Sequence, residues 1–186
     1  ILVYNSGNDI NIVDTTVSKV RGKDSLVGTE RNGIYLENTD NLTFNNATVN
    51  GDVDIDADGF VKALSGSYGG DITGSATFYD MVATSGNLKL DNVDATSGVA
   101  NFTANNGNIT VKGGGLDAVG DINLVSGTGN INVNKAVNGS DITLDASGGG
   151  DVIVDGLNGG TLRALTTSGE GGDINISANG DVDFIN

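Results

Sequence analysis

Gly120-Asp121-Ile122-Asn123-Leu124 and, a short step further on, Gly129-Asn130-Ile131-Asn132-Val133 are two copies of one unit: Gly, Asp or Asn, an aliphatic residue, a polar residue, an apolar residue. The unit also stands at Gly51-Asp52-Val53-Asp54-Ile55, Gly86-Asn87-Leu88-Lys89-Leu90, Gly107-Asn108-Ile109-Thr110-Val111 and Gly150-Asp151-Val152-Ile153-Val154. It returns at Gly172-Asp173-Ile174-Asn175-Ile176 and Gly180-Asp181-Val182-Asp183-Phe184, with looser copies at Asp9-Ile10-Asn11-Ile12, Asp71-Ile72-Thr73 and Asp141-Ile142-Thr143-Leu144. Each copy reads as a turn followed by a short strand. Gly or Asn takes a left-handed turn position, and Asp or Asn bonds its own backbone through its side chain. Alternation then sends both aliphatic side chains to one face and the polar residue to the other. So short a strand cannot bury that face alone, but stacked copies can.

Spacing selects the kind of stack. Turn glycines fall at positions 107, 120, 129, 139, 150, 160, 172 and 180, the one at 160 leading Thr161-Leu162-Arg163-Ala164-Leu165. Upstream they fall at 51, 59, 70, 86 and 98, with one longer gap between 70 and 86. A hairpin sandwich also has strands at such intervals, but it needs hairpin turn pairs and long partner strands. Short, one-sided, near-identical strands predict an all-β chain folded as a right-handed parallel β-helix, a solenoid whose coils hold about 20 residues. At a strand spacing of roughly 4.8 Å, about nine coils would make a rod some 40 to 45 Å long. Phe44, Phe60, Phe78 and Phe102 recur at near-coil intervals, as one internal aromatic stack would require.

The expected organisation is a single β-helix section over residues 1–186, with a less regular and more charged stretch at 1–45. That stretch holds Lys19, Arg21, Lys23 and Arg31, four of the nine basic residues. A protruding loop around Val20 to Asn32 accounts for it, because Ile34-Tyr35-Leu36 and Leu42-Thr43-Phe44 again read as strands. The chain opens on Ile and reads as a section of a longer polypeptide.

Composition narrows the chemistry. With no Cys and no His there is no disulfide framework, thiolate or imidazole chemistry, and any metal must take oxygen ligands. A net charge of -15 disfavours nucleic acid and anionic lipid as partners, and no apolar run reaches membrane-spanning length. No cofactor is expected beyond calcium.

Repeated Gly-Asp/Asn-aliphatic-polar-aliphatic units, abundant Asn, Gly and Thr, a short regular coil and the lack of Cys together resemble the exported passengers of bacterial two-partner secretion. These are the filamentous-haemagglutinin-like and high-molecular-weight adhesins. The resemblance implies a non-catalytic section of an adhesin, secreted to the cell surface of a Gram-negative bacterium, acting as extended scaffold or binding surface. It implies a host-cell receptor or glycan as partner, and an outer-membrane transporter during export. The family's secretion domain carries Asn-Pro-Asn motifs, which a chain without Pro cannot contain. The section would therefore be stem or binding region. An autotransporter passenger or another surface solenoid is the alternative reading.

Four patterns are candidate sites. Asp54-Ile55-Asp56-Ala57-Asp58-Gly59 matches the opening of an EF-hand-type loop, so Asp54, Asp56 and Asp58 are candidate calcium ligands, although Lys62 and Ser65 stand where that loop needs acceptors. The competing reading is a strand with Val53, Ile55 and Ala57 inward. Asn38-Thr39-Asp40 resembles one polygalacturonase motif, but the Gly-His-Gly and Arg-x-Lys segments of those enzymes are absent, and a carbohydrate-acting enzyme is a remote alternative. Of six Asn-x-Ser/Thr sequons, Asn41, Asn46 and Asn138 lie in or near expected turns and are candidate sugar acceptors, as the adhesin resemblance implies. Tyr68 and Tyr79 are candidate glycan-stacking residues; Tyr79 and its neighbour Phe78 must point to opposite faces.

Overall fold

A computed structural model describes residues 2–4, 10–17, 33–49, 52–155, 165–167, 174–178 and 182–185. All regular structure among them is strand, and the strands pair in parallel. The chain is a parallel β-solenoid, as the repeat predicts.

Two sheets run the length of the stack. The first orders β1 (Leu2–Tyr4), β4 (Gly33–Thr39), β6 (Asp52–Ala57), β8 (Asp71–Ala76), β10 (Leu88–Ala95), β12 (Ile109–Ala118), β14 (Ile131–Val133), β17 (Val152–Asp155) and β20 (Val182–Ile185). Off that path, β15 (Val137–Gly139) pairs with β12, and β18 (Leu165–Thr167) with β15. The second sheet holds β2 (Ile10–Val13) and β3 (Thr16–Val17), then β5 (Leu42–Val49), β7 (Val61–Tyr68), β9 (Tyr79–Ala83), β11 (Ala100–Ala104), β13 (Ile122–Ser126), β16 (Ile142–Ala146) and β19 (Ile174–Ala178). From β4 to β14 successive strands alternate between the sheets, which encloses one interior.

Register fixes the coil length. Leu42, Val61, Tyr79, Ala100, Ile122 and Ile142 are partners in series, so each of these turns takes the expected coil of about 20 residues. Longer turns flank them, since Ile10 pairs with Leu42 and Ile142 with Ile174, each step half as long again as a regular coil. Chain spent on the longer turns leaves fewer coils than an even division of the sequence suggests. The loop expected around Val20 to Asn32 lies outside the described residues, as do Gly51, Gly160, Gly172, Gly180 and residues 161–164.

Several strands are longer than the unit because they turn a corner. In β5 the buried positions are Leu42, Phe44, Ala47 and Val49; alternation slips by one at Asn45-Asn46, where Asn46 has a φ of 52°. Asn92 (φ 58°) does the same in β10; Gly74 in β8 is also left-handed (φ 109°), but there Ile72 and Ala76 keep the alternation unbroken. A bend with one left-handed residue swings the next segment around while keeping its apolar side inward. The gap between Gly70 and Gly86 holds β9, entered through Thr77-Phe78 with no glycine. Gly139, expected in a turn, ends β15; the turn before β16 is Ser140-Asp141.

The interior is a continuous apolar column. Ile122, Ile131, Ile142 and Val152 are all fully buried, while Asn123, Asn132 and Thr143 between them face outward. Tyr68 meets Phe44 edge-on at 5.7 Å between ring centroids, and Tyr79 meets Phe102 at 5.6 Å. Phe60 and Phe78 do not join them. They stack on each other at 5.3 Å at a half-exposed corner, so the single phenylalanine stack expected from spacing is two separate arrangements.

Candidate functional site

The polar residue that follows glycine in the unit links coils. Asn87 Oδ1 accepts from the Asn108 backbone N–H (2.9 Å), Asn108 Oδ1 from Asn130 N–H (2.8 Å), and Asn130 Oδ1 from Asp151 N–H (2.9 Å). Asp52 Oδ1 accepts likewise from Asp71 N–H, Asn41 Oδ1 from Phe60 N–H, and Asp121 Oδ1 from Asp141 N–H. The partner is thus the equivalent backbone one coil further on, not the residue's own turn. A local bond of the expected kind appears at Asp145, whose carboxylate accepts from Ser147 N–H at 2.9 Å and is held below its ordinary range by Ser147. Sequence reasoning finds the residue type and misses the acceptor's target, because coil register is invisible in a single unit.

The preceding glycines have a matching reason. A Cβ at Gly107 would run into the Gly86 carbonyl oxygen, and one at Gly150 into that of Gly129. Close approach of stacked backbones, more than left-handed geometry, demands glycine there. Ser126 fastens the same corner: its hydroxyl reaches Gly107 O (2.8 Å) and Gly129 O (2.7 Å) and accepts from Gly129 N–H. The run Gly113-Gly114-Gly115 is explained in part by Asp91, whose Oδ1 accepts from Gly114 N–H at 3.0 Å and occupies the space a Cβ on Gly113 would need.

The expected calcium ligands do not converge. Val53, Ile55 and Ala57 are buried and Asp54 and Asp56 face outward on β6, so the competing strand reading holds. Residues two apart on one strand face are separated by roughly 6.6 Å, whereas calcium ligands must all lie within about 2.5 Å of one ion. Asp56 instead accepts from Ser75 Oγ at 3.3 Å, and Asp58 lies in the turn beyond. Among the described residues no three carboxylates are placed to hold a metal ion.

The glycan-stacking residues are also corrected. Tyr68 and Tyr79 are 1% and 0% exposed, so neither ring can meet a sugar. Tyr79 donates its hydroxyl to Gly74 O at 2.9 Å, and burial pushes the ionisation of both phenols well above the ordinary tyrosine value. The outward member of the Phe78-Tyr79 pair is Phe78. Phe60, Phe78 and Val99 occupy the column position that Asn41, Asp121 and Asp141 fill in other coils. The Phe60 and Phe78 ring faces lie against each other, which leaves mainly edges for solvent.

The three candidate sugar acceptors sit at the surface. Asn46 is exposed at its corner and donates Nδ2 to Asp14 Oδ1 at 2.8 Å. Asn138 is half-buried on β15 and donates Nδ2 to Asp117 Oδ1. Asn41 is half-buried in the coil-linking series described above. Lys112, on β12, crosses the neighbouring strand to Asp71 on β8 at 2.8 Å; that hydrogen bond, with the charges of Asp71, Asp91 and Asp52, raises the lysine's pKa.

Comparison with known proteins gives no match: no family model, no curated protein and no solved structure is significantly similar to this chain.

Proposed function

We propose that this chain is an extended, non-catalytic section of a secreted bacterial surface adhesin, of the filamentous-haemagglutinin-like, two-partner type. The observation that carries the reading is the use of the side chains. The conspicuous Asn and Asp residues link each coil to the next through backbone N–H groups, an arrangement that builds length and consumes the groups an active site would display. Outward columns such as Asn101, Asn123 and Thr143 supply the polar surface for a host receptor or glycan, and an outer-membrane transporter is the partner of the parent protein during export. No helix among the described residues is long and apolar enough to cross a membrane.

Antibodies raised against the purified section, applied to intact bacteria that make the whole protein, test this reading. Labelling of intact cells and inhibition of their attachment to host cells are expected. Labelling only after permeabilisation would contradict surface display, and sustained turnover of a polysaccharide by the pure section would contradict the non-catalytic role.

A further inference from the structure

An Asn-Gly pair is prone to attack on the side-chain amide by the next backbone nitrogen, because glycine has no Cβ to hinder ring closure. The fold treats the Asx-Gly pairs among the described residues differently. Asp58-Gly59 is protected: the Gly59 N–H donates to Asp40 O at 2.7 Å. Asn138-Gly139 is held extended within β15, paired in parallel with β18. Asn106-Gly107 occupies an exposed turn between β11 and β12, where among the described residues no backbone acceptor meets the Gly107 N–H.

We propose that Asn106 is a site of spontaneous deamidation. The Gly107 backbone nitrogen, having lost its proton to solvent base, bonds to Cγ of Asn106; the Cγ–Nδ2 bond breaks and that nitrogen leaves as ammonia. Water then opens the cyclic imide at either carbonyl, leaving aspartate or isoaspartate. One water is consumed and one ammonia released, with no change of oxidation state.

The product acts on a fastened corner. Asn106 Nδ2 donates to Thr84 O at 2.9 Å, across one coil, and conversion replaces that donor with a carboxylate that repels the carbonyl. The isoaspartate form also lengthens the turn backbone by a methylene. Next to it, Gly107 O receives Ser126 Oγ and Asn108 N–H reaches Asn87 Oδ1, so the change loosens the stack at Gly86, Gly107 and Gly129. The fold thereby carries a slow chemical clock at one corner.

The test is peptide mapping by mass spectrometry, with isoaspartate detection, on intact folded protein held in mildly alkaline buffer. Asn106 should convert several-fold faster than Asn138 when folded, and the two rates should converge in the denatured chain. An Asn106→Gln variant should lose fast conversion at that position while Asn138 keeps its rate. Equal folded rates, or a ratio unchanged by denaturation, would overturn the proposal. In an Asn106→Asp variant, faster hydrogen exchange at the Asn108 amide supports the loosening, and unchanged exchange contradicts it.

Discussion

Tyr68 and Tyr79 share one interior and differ in one bond. Among the described residues the Tyr79 hydroxyl reaches Gly74 O and the Tyr68 hydroxyl reaches no partner. Tyr79→Phe should therefore cost about 1 kcal/mol, whereas Tyr68→Phe, which removes a buried orphan, should be neutral or stabilising. Denaturant unfolding of the two variants distinguishes them. The same burial sets a pH dependence. Both phenols have folded-state pKa values raised by desolvation above the ordinary 10.0, so their contribution is complete below that pH. Above it only the unfolded chain ionises, and stability should fall by about 1.4 kcal/mol per pH unit for each tyrosine. Lys112, also raised, adds a small loss in the same direction that its exposure keeps weak. Thermal unfolding followed from neutral pH past 10 should show the fall, and the double Phe variant should flatten it.

Within one strand, the decisive feature is which residues of the unit face inward. Ile131→Asp places an unpaired carboxylate inside the column and should cost several kcal/mol, or force its protonation. Asn132→Asp on the outward face should cost under about 1 kcal/mol. Hydrogen exchange on the two variants should show the Ile131 damage in adjacent coils first, because each coil touches only its neighbours; equal mild effects would sink the assignment. This alternation is legible in the sequence because it lies inside a single unit. The corners are not: whether Asn46 or Asn92 bends a strand depends on the coil beneath, and no local pattern records it. The burial of Tyr79 is hidden for a related reason. Alternation places Phe78 on the opposite face, but which of the two points inward is set by the column Leu42, Val61, Tyr79, Ala100. The calcium motif fails because a spacing that suits a wrapped loop sits here in an extended strand.

At the scale of the whole molecule, repetition makes the stack and its period legible without coordinates. The uneven coils stay hidden: Val61 to Tyr79 closes one short turn, whereas Ile142 to Ile174 closes a much longer one, and no feature of the unit marks the difference. Modularity follows from the stack. Removing residues 109–130, one complete coil, brings Ile131 into the place of Ile109 and should leave a folded, shorter solenoid. Removing about half of that stretch should abolish cooperative unfolding, because the remaining strands would enter the wrong sheet. The central claim is parallel stacking in a defined register, and cysteine cross-linking tests it most directly, since the chain has no cysteine of its own. Asn101 and Asn123 are register partners on the outward face of adjacent strands, with their side chains hydrogen-bonded at 2.8 Å. A strand separation of about 4.8 Å lies within the Cα range a disulfide spans. The double variant Asn101→Cys, Asn123→Cys should oxidise readily in the folded protein, without loss of stability. Thiols that stay reduced in the folded chain under the same oxidant would contradict the solenoid.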